Sequence, residues 1–388
     1  MRANLIAFKY FKLQRCMMET RMYEFRIYPS GRQKARLFSQ FDICCNLYNT
    51  LLEQARIAYK VDGKTDTRKF TLINAIKAIK SGGPALAQVY SQSLQNVADR
   101  LSKAYANFFR RVKERKAGKK VKAGFPRFKK RFRSITYPQS GFKFKSASRL
   151  YCSKIGSIPI VLHRIPKGKI KTLTIKKNQA GQWFAVFACE ADIKAVPSTG
   201  KTVGIDVGLE NFATLSDGVV IENPRFLRKS EVRVKLLQRR VSRKVKGSHN
   251  RGKAKFRLAK THIKVLNQRK DFLHKLSRQL VASYSKINVE KLGISNMLRN
   301  HHLAKSISDA SWSDFISKLR YKASSAGCEV IEVCARNTSQ RCSNCGEIVK
   351  KSLRTRQHTC PVCGFSVHRD LNAAINIRAL SRAGLART

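Results

Sequence analysis

Two pairs of cysteines near the C-terminus constrain the fold most. They lie in CSNCG (342–346) and CPVCG (360–364), with fourteen residues between the second cysteine of one pair and the first of the other. Each pair can hold one tetrahedral ion from a tight turn, and the following glycine lets the backbone curl around it. A redox dithiol is the alternative, but it needs only one pair. We predict a structural zinc site with no open position for catalysis, formed by Cys342, Cys345, Cys360 and Cys363.

The charge of the chain determines its class of partner. Lys and Arg number 80 against 23 Asp and Glu, which gives a net charge of +57 in 388 residues. Such self-repulsion disfavours a compact state unless a polyanion neutralises it, and nucleic acid is the usual polyanion. No apolar run approaches the ~20 residues of a spanning helix, and the N-terminus lacks a clean secretory signal. We expect no membrane partner and a cytoplasmic, nucleoid-associated protein if the source is prokaryotic.

The pattern of the first 200 residues predicts a helical segment between strands. Residues 23–30 alternate as a strand, and 32–60 and 94–112 have helical periodicity. The basic stretch 116–133 interleaves phenylalanines with cations, which favours a nucleic-acid face over a merely solvated surface. Short strand-like runs at 134–200 are typical of a small β-barrel.

From residue 201 strands and helices alternate, as in an α/β layer. Two basic helices are predicted over 225–285, and the second places Leu266, Leu273 and Leu280 on one apolar stripe. With 43% hydrophobic residues the chain can bury real cores, and its length suggests two to four domains. Eleven cysteines, an odd number, do not indicate a disulfide framework.

Three acids stand out in this basic chain. Asp206 lies inside the apolar strand VGIDVG, Glu290 ends the strand INVE, and Asp370 opens the helix DLNAAINI. Singly, each has an ordinary alternative: a turn or surface pair for Asp206, a solvated strand end for Glu290, and an N-terminal cap for Asp370. If the strands are neighbours, the three carboxylates can meet in one pocket. Hard oxygen ligands then suit Mg²⁺ or Mn²⁺, and two such ions can hydrolyse a phosphodiester.

Several motifs, in order and spacing, resemble the TnpB family of transposon-encoded, RNA-guided DNA endonucleases, which are related to the compact type V CRISPR effectors. They include YEFRIYPSGRQ, GFPRFKKRFRSITYP, VGIDVGLENFATLSDG, SQRCSNCG and CPVCGFSVHRDLNAAINI. The zinc ribbon directly before the third acid is the most diagnostic of them. One departure is His368, which replaces a commoner acidic residue two positions before Asp370.

The resemblance implies a multidomain α/β fold. It comprises an RNase H-like RuvC nuclease domain with an inserted zinc ribbon. An N-terminal oligonucleotide-binding β-barrel, the wedge domain, carries an inserted helical recognition module. The expected boundaries are a disordered extension at 1–20, the wedge at 21–40 and 119–200, the helical module at 41–118, the nuclease at 201–336 and 364–380, the ribbon at 337–363 and a tail at 381–388.

The resemblance also implies the partners and the reaction. Asp206, Glu290 and Asp370 are expected to hold Mg²⁺ or Mn²⁺ as catalytic ligands, and the four cysteines to hold Zn²⁺. The protein is expected to bind a guide RNA from the transposon end, as a monomer or dimer on the RNA. It then recognises a short motif beside the target and cuts guide-paired double-stranded DNA. A compact type V CRISPR effector, a guided DNA binder that regulates transposition, and a strand-joining transposase remain alternatives.

Overall fold

The computed structural model of the protein describes residues 18–63, 65–192, 200–334, 337–352 and 354–380. The chain forms two compact units that divide after Asp192. No helix in the described ranges is long and apolar enough to cross a membrane. The predicted C-terminal tail, 381–388, lies outside the described residues.

The first unit consists of a sheet with three helices between its first and second strands. Its elements are β1 (Met18–Ile27), α1 (Gly31–Asp62), α2 (Lys69–Ser81), a 3₁₀ turn (Pro84–Gln88), α3 (Ser91–Lys116), β2 (Ser134–Pro138), β3 (Phe142–Ser146), β4 (Arg149–Cys152), β5 (Gly156–Val161), β6 (Lys169–Lys177) and β7 (Trp183–Asp192). The strands pair in the order β2-β6-β7-β1-β5-β4-β3, and every pairing is antiparallel.

Local signals place the start of this unit. Ser30 caps α1 in a capping box with Gln33, and Gly63 ends it in the left-handed conformation at φ 63°. Because β1 begins at Met18, residues 18–20 belong to the sheet, which corrects the end of the predicted N-terminal extension. The rest of that extension, 1–17, lies outside the described residues. The predicted boundary at residue 40 falls inside the unbroken helix α1.

The sheet of the first unit curls. Tyr137 of β2, at one edge, donates a hydrogen bond of 3.1 Å to the Ser153 carbonyl oxygen, which follows β4 near the other edge. Residues of both edge regions also share one core with the helices, as Tyr137 and Leu150 illustrate. The strands and helices of the predicted barrel with inserted helices are therefore present. Its oligonucleotide-binding character remains a prediction.

The second unit is a mixed α/β layer with a small two-stranded ribbon. Its elements are β8 (Thr202–Val207), β9 (Asn211–Leu215), β10 (Val220–Glu222), α4 (Phe226–Ser242), α5 (His249–Ser283), β11 (Lys286–Glu290), α6 (Ile294–Met297), α7 (His301–Ala310), α8 (Trp312–Ala326), β12 (Glu329–Val333), β13 (Gln357–Thr359), β14 (Ser366–His368) and α9 (Arg369–Leu380). The large sheet has the order β10-β9-β8-β11-β12. β8, β9 and β10 are antiparallel, whereas β11 runs parallel to both β8 and β12. The predicted alternation of strands and helices is confirmed.

Candidate functional site

Two neighbouring parallel strands carry the first two acids. Gly204 of β8 lies opposite Asn288 of β11, and one residue further Ile205 lies opposite Val289. Since side chains alternate along a strand, Asp206 and Glu290 lie on the same face as Gly204 and Asn288. The opposite face is fully buried and apolar, with Val203, Ile205, Ile287 and Val289. The register alone therefore places the two carboxylates side by side at the ends of their strands.

Helix α9 covers this face at very short range. A Cβ on Gly204 would lie 2.1 Å from the Ala374 carbonyl oxygen and 2.5 Å from the Arg378 nitrogen, so only glycine allows the contact. Beside it, the buried Asn288 amide donates to the carbonyl oxygens of Ile377 and Arg378, at 3.3 and 3.1 Å. These bonds satisfy carbonyl groups at the end of the helix. Sequence reasoning missed both residues, although each lies two positions before a predicted acid.

The N-terminal end of α9 carries the third acid. Asp370 is the second residue of the helix, and its backbone N–H donates to the His368 ring Nδ1 at 3.3 Å. The His368 ring thus satisfies an N–H group of the first turn. The Asp370 carboxylate lies 3.9 Å from the same ring nitrogen, and 18% of that side chain is exposed.

The carboxylates of Glu290 and Asp370 act electrostatically on Asp206. Burial raises the pKa of Asp206 well above its usual value, the charges of Glu290 and Asp370 raise it further, and Arg369 opposes the shift. Burial also raises the pKa of Glu290, while a hydrogen bond from the Thr338 hydroxyl partly offsets that rise. Glu290 and Asp370 thus lie near enough to Asp206 to shift its pKa, although the three carboxylates do not all come within 4.8 Å of one another. Their proximity disfavours the fully ionised state in the absence of a cation.

The four predicted cysteines lie close enough to share one ion. Their sulfur atoms lie within 4.8 Å of one another, and among the described residues no other group of three or more Cys, His, Asp or Glu does so. The Cys342–Cys363 and Cys345–Cys360 sulfurs are 3.7 and 3.5 Å apart. Tetrahedral zinc with bonds of about 2.3 Å needs sulfur separations of about 3.8 Å. The cluster is compatible with a structural zinc site.

The backbone around the cysteines also fits this role. Gly346 and Gly364, which follow the two pairs, have φ values of 84° and 67°. Their N–H groups donate to the carbonyl oxygens of Cys342 and Cys360, each at 3.0 Å. The glycines therefore curl each turn back on itself, as predicted from their positions.

The ionisation of two thiols shows the effect of their crowding. The Phe365 N–H and other hydrogen bonds lower the pKa of the Cys363 thiol to about 6. For Cys345 the Glu347 N–H lowers the pKa, but hydrogen bonds with the neighbouring sulfurs, Cys363 first, outweigh it and raise the pKa to about 12. One bound cation would favour the thiolate form of both.

The basic stretch after α3 has no regular secondary structure between residues 117 and 133. The Arg56 guanidinium lies 5.1 Å from the ring centres of both Phe125 and Phe128, and Arg100 lies 5.4 Å from that of Phe132. Phe125 and Phe128 are 37% and 48% exposed, whereas Phe132 packs against the core. The two exposed rings, paired with a cation, suit base stacking. A nucleic-acid face here remains a prediction.

Three family models match the chain. "Probable transposase" matches residues 186–301, "Cas12f1-like, TNB domain" matches 312–377, and "Helix-turn-helix domain" matches 17–64. Within the last range the described residues form strand β1 and one long helix, α1. The second range contains the four cysteines and the third acid.

Curated relatives match over nearly the whole chain. A protein of Streptomyces pristinaespiralis named "Putative RNA-guided DNA endonuclease" is 34% identical, covering 94% of this chain and 90% of its own length. The "Putative RNA-guided DNA endonuclease InsQ" of Escherichia coli K12 is 30% identical over 95% of this chain and 94% of its own. The "TnpB-like protein L770" of Acanthamoeba polyphaga mimivirus is 25% identical over 91% of this chain and 71% of its own.

Solved structures share the fold at low sequence identity. A Cas12f1–sgRNA–target DNA complex matches with a TM-score of 0.57 and 15% identity, covering 93% of this chain and 99% of that chain. The mini-RNA-guided endonuclease CRISPR-Cas_phi3 matches with a TM-score of 0.53 and 10% identity, over 97% and 94%. The fold is therefore that of the compact Cas12 effectors.

Proposed function

This chain belongs to the TnpB family, and from that premise we propose that it is a transposon-encoded, RNA-guided DNA endonuclease. It binds a structured guide RNA from the transposon end, recognises a short motif beside the target and cleaves the guide-paired duplex. The observation that carries the proposal is that Glu290 and Asp370 act on the buried Asp206 in a chain of net charge +57. A buried acid whose pKa is raised by two further acids is costly to keep without a function that uses its charge.

The second unit is the RuvC-like nuclease of RNase H fold. The adjacency of β8 and β11 and the close packing of α9 support this assignment, because they deliver three acids from distant parts of the sequence to one face. The four-cysteine cluster immediately precedes α9 in the chain and holds a structural Zn²⁺. With four protein sulfurs filling a tetrahedron, that ion takes no part in the reaction.

The carboxylates of Asp206, Glu290 and Asp370 hold Mg²⁺ or Mn²⁺. Their chemistry fits these ions, because carboxylate oxygens are hard donors, and burial together with two neighbouring acids makes the charged form of Asp206 unfavourable without a cation. Bound divalent ions supply Lewis-acid activation of water and stabilise the leaving oxygen of the phosphodiester. The protein orients its ligands: Thr338 donates to a Glu290 oxygen at 2.9 Å, and α9 fixes Asp370 over the strand ends.

The first unit contributes the oligonucleotide-binding wedge and its helical recognition module. Its curled antiparallel sheet, the insertion of α1 to α3 after β1, and the exposed phenylalanines beside Arg56 support this role. In an RNA-guided enzyme, cations bind backbone phosphates while base pairing selects the sequence. Most of the 80 Lys and Arg residues then serve affinity for guide and heteroduplex.

The test starts with the protein expressed with its native flanking DNA and purified in high salt. One dominant co-purified RNA with a defined end is the expected result, and this RNA must direct Mg²⁺-dependent cleavage of a matching plasmid. Asp206→Ala, Glu290→Ala and Asp370→Ala should retain the RNA and lose cleavage. Asp271→Ala, which removes an exposed acid paired with Lys275, is the matched control and should cut normally. A random spread of host RNA, or cleavage that survives all three substitutions, would overturn the proposal.

A further inference from the structure

A hydroxyl group outside the three acids contacts one of their carboxylates. Thr338 is 4% exposed and its Oγ1 donates to Glu290 Oε1 at 2.9 Å. Thr338 lies four residues before Cys342, in the segment that leads into the first cysteine turn. The chain that enters the ribbon therefore passes directly beside Glu290.

Two buried asparagines of α9 hold this segment. The Asn376 amide donates to the carbonyl oxygens of Thr338 and Arg341, at 2.8 and 2.7 Å. The Asn372 amide donates to the same Arg341 oxygen at 2.7 Å, and its own oxygen accepts from the Ser343 N–H at 2.9 Å. Asn372 and Asn376 are four residues apart, so both project from one face of the helix.

Helix formation alone does not explain the two asparagines. Asparagine has a poor helix propensity because its side chain competes for backbone hydrogen bonds. Here both side chains are buried, at 0% and 8% exposure, and bind another segment instead of their own helix. The helix that carries Asp370 thus binds the segment 338–341, which leads into the ribbon, and Thr338 of that segment contacts Glu290.

The hydrogen bonds from α9 also reach the first cysteine turn. Ser343, whose N–H binds Asn372, lies between Cys342 and Cys345 in the first turn. Arg341, whose carbonyl oxygen binds both asparagines, forms a bridge across the turn with Ile348. Hydrogen bonds therefore connect the backbone of the first cysteine turn to α9, and α9 to the backbone of Thr338.

We infer that Thr338 is a positioning residue for the Glu290 carboxylate, held in place by Asn372 and Asn376, and that the zinc ribbon thereby sets the geometry of the nuclease site. This inference rests on the proposed function, in which Glu290 binds a catalytic divalent ion. The hydroxyl occupies one lone pair of Oε1 and restricts rotation of the carboxylate. Groups that orient a metal ligand in this way typically contribute ~10- to 100-fold to metal affinity or activity.

The experiment compares Thr338→Val with Thr338→Ser in the purified protein–RNA complex. Calorimetric titration with Mn²⁺ in the absence of target DNA measures ion binding without turnover, and cleavage is measured across a Mg²⁺ series. Thr338→Val should weaken Mn²⁺ binding and raise the Mg²⁺ requirement by ~10- to 100-fold. Thr338→Ser, which keeps the hydroxyl, should stay within a few-fold of the parent protein.

The controls separate positioning from folding. Thr355→Val removes an exposed hydroxyl of the same ribbon, which bonds to the Ser352 hydroxyl at 3.0 Å, and should change neither readout. Zinc content and melting temperature report whether the ribbon is intact. If Thr338→Val loses zinc, Thr338→Cys replaces it, because cysteine has a similar volume and is only a weak hydrogen-bond donor. Its Mn²⁺ affinity and Mg²⁺ requirement should then change in the direction expected for Thr338→Val.

The outcomes distinguish this inference from the proposed function. Parental Mn²⁺ affinity and Mg²⁺ requirement in a zinc-replete Thr338→Val protein would overturn the positioning role alone. An unsubstituted complex that binds no Mn²⁺ and cuts no DNA would overturn the nuclease assignment, and with it this inference.

Discussion

The contact between Gly204 and α9 makes a sharp prediction, because one added methyl group must move the helix that carries Asp370. In Gly204→Ala the new Cβ would lie 2.1 Å from the Ala374 carbonyl oxygen, whereas real Cβ atoms essentially never approach closer than 3.0 Å. The difference, about 0.9 Å, is the least by which strand or helix must shift. The clashing atoms are backbone atoms, so no rotamer change relieves it.

The expected effect on cleavage is large relative to the effect on stability. Overpacking of this kind costs about 1–3 kcal/mol of unfolding free energy. Because catalytic groups need placement within about 0.5 Å, a shift near 1 Å should lower the cleavage rate ~10²-fold. Guide RNA binding should be unchanged, since the substitution removes no cation.

The assay measures single-turnover cleavage, RNA affinity and melting temperature for Gly204→Ala beside Gly252→Ala. Gly252 lies in helix α5 of the same unit, and a Cβ there meets nothing within 4 Å. Gly252→Ala should retain cleavage and gain up to about 1 kcal/mol of stability, because alanine is the better helix former. Parental cleavage and melting temperature in Gly204→Ala would refute the role assigned to this close approach.

Three further predictions concern charge and metal. In metal-free protein the folded pKa of Asp206 is raised, so its contribution to stability is fully present below the unfolded pKa of about 3.9 and is lost as pH rises through the folded pKa. Asp206→Asn should therefore melt higher than the parent at neutral pH in buffer without Mg²⁺ or Mn²⁺, and should fail to cut when Mg²⁺ is added; a lower melting temperature throughout would contradict the burial argument. Cys342→Ser should lose zinc by elemental analysis and raise the Mg²⁺ requirement for cleavage, whereas Cys328→Ser, outside the cluster, should keep the zinc; an unchanged Mg²⁺ requirement in zinc-free protein would count against coupling of ribbon and site. RNA affinity should fall by ~10³-fold or more between 50 and 200 mM salt, as measured by filter binding, because many phosphates are contacted; a flat salt response would contradict a backbone-binding role for the cations.

The elements that carry strong local signals could be predicted from the sequence. The cysteine turns, their glycines and the strands that carry Asp206 and Glu290 all lie where the motifs indicate. Spacing and alternation suffice for such features, because they depend on neighbours in the chain.

In the long helix α5, the apolar periodicity predicted the wrong buried residue at one position. In α5 the predicted stripe holds for Leu273 and Leu280, which are buried, but Leu266 is 42% exposed while Val265 is buried. Leu266 is only one heptad from Leu273, so helical drift of ~20° does not account for its exposure. The core cluster takes buried residues of this 35-residue helix only from Leu273 onward, so a stripe extended toward its N-terminus leaves the region that this core covers. The helical pattern therefore predicts where the helix lies, but it does not predict every residue that the helix buries.

The supporting residues of the site could not be predicted, because their contacts are non-local. Gly204 and Asn288 are explained only once β8 and β11 are known to pair under α9. Thr338 contacts an acid 48 residues away in sequence. The sequence did contain one signal for Gly204 and Asn288. Each is a glycine or polar residue in an otherwise apolar strand, two positions before an acid.

Helix α9 explains why the third acid directly follows the ribbon in the chain. The helix makes three kinds of contact. Ala374 lies on the β8 backbone, and the carbonyl groups at the end of the helix accept hydrogen bonds from Asn288 of β11. Asn372 and Asn376 hold the segment before the first cysteine turn. Few of these contacts come from large apolar side chains, so the position of Asp370 depends on close approach and hydrogen bonds, which tolerate little displacement. A ribbon placed immediately before the helix, covalently joined to it and bonded to it again through the asparagines, constrains that position from both sides. If the proposed function holds, the same arrangement that makes Gly204 indispensable would make the cysteine cluster part of the nuclease geometry, without giving a bound ion any role in the reaction.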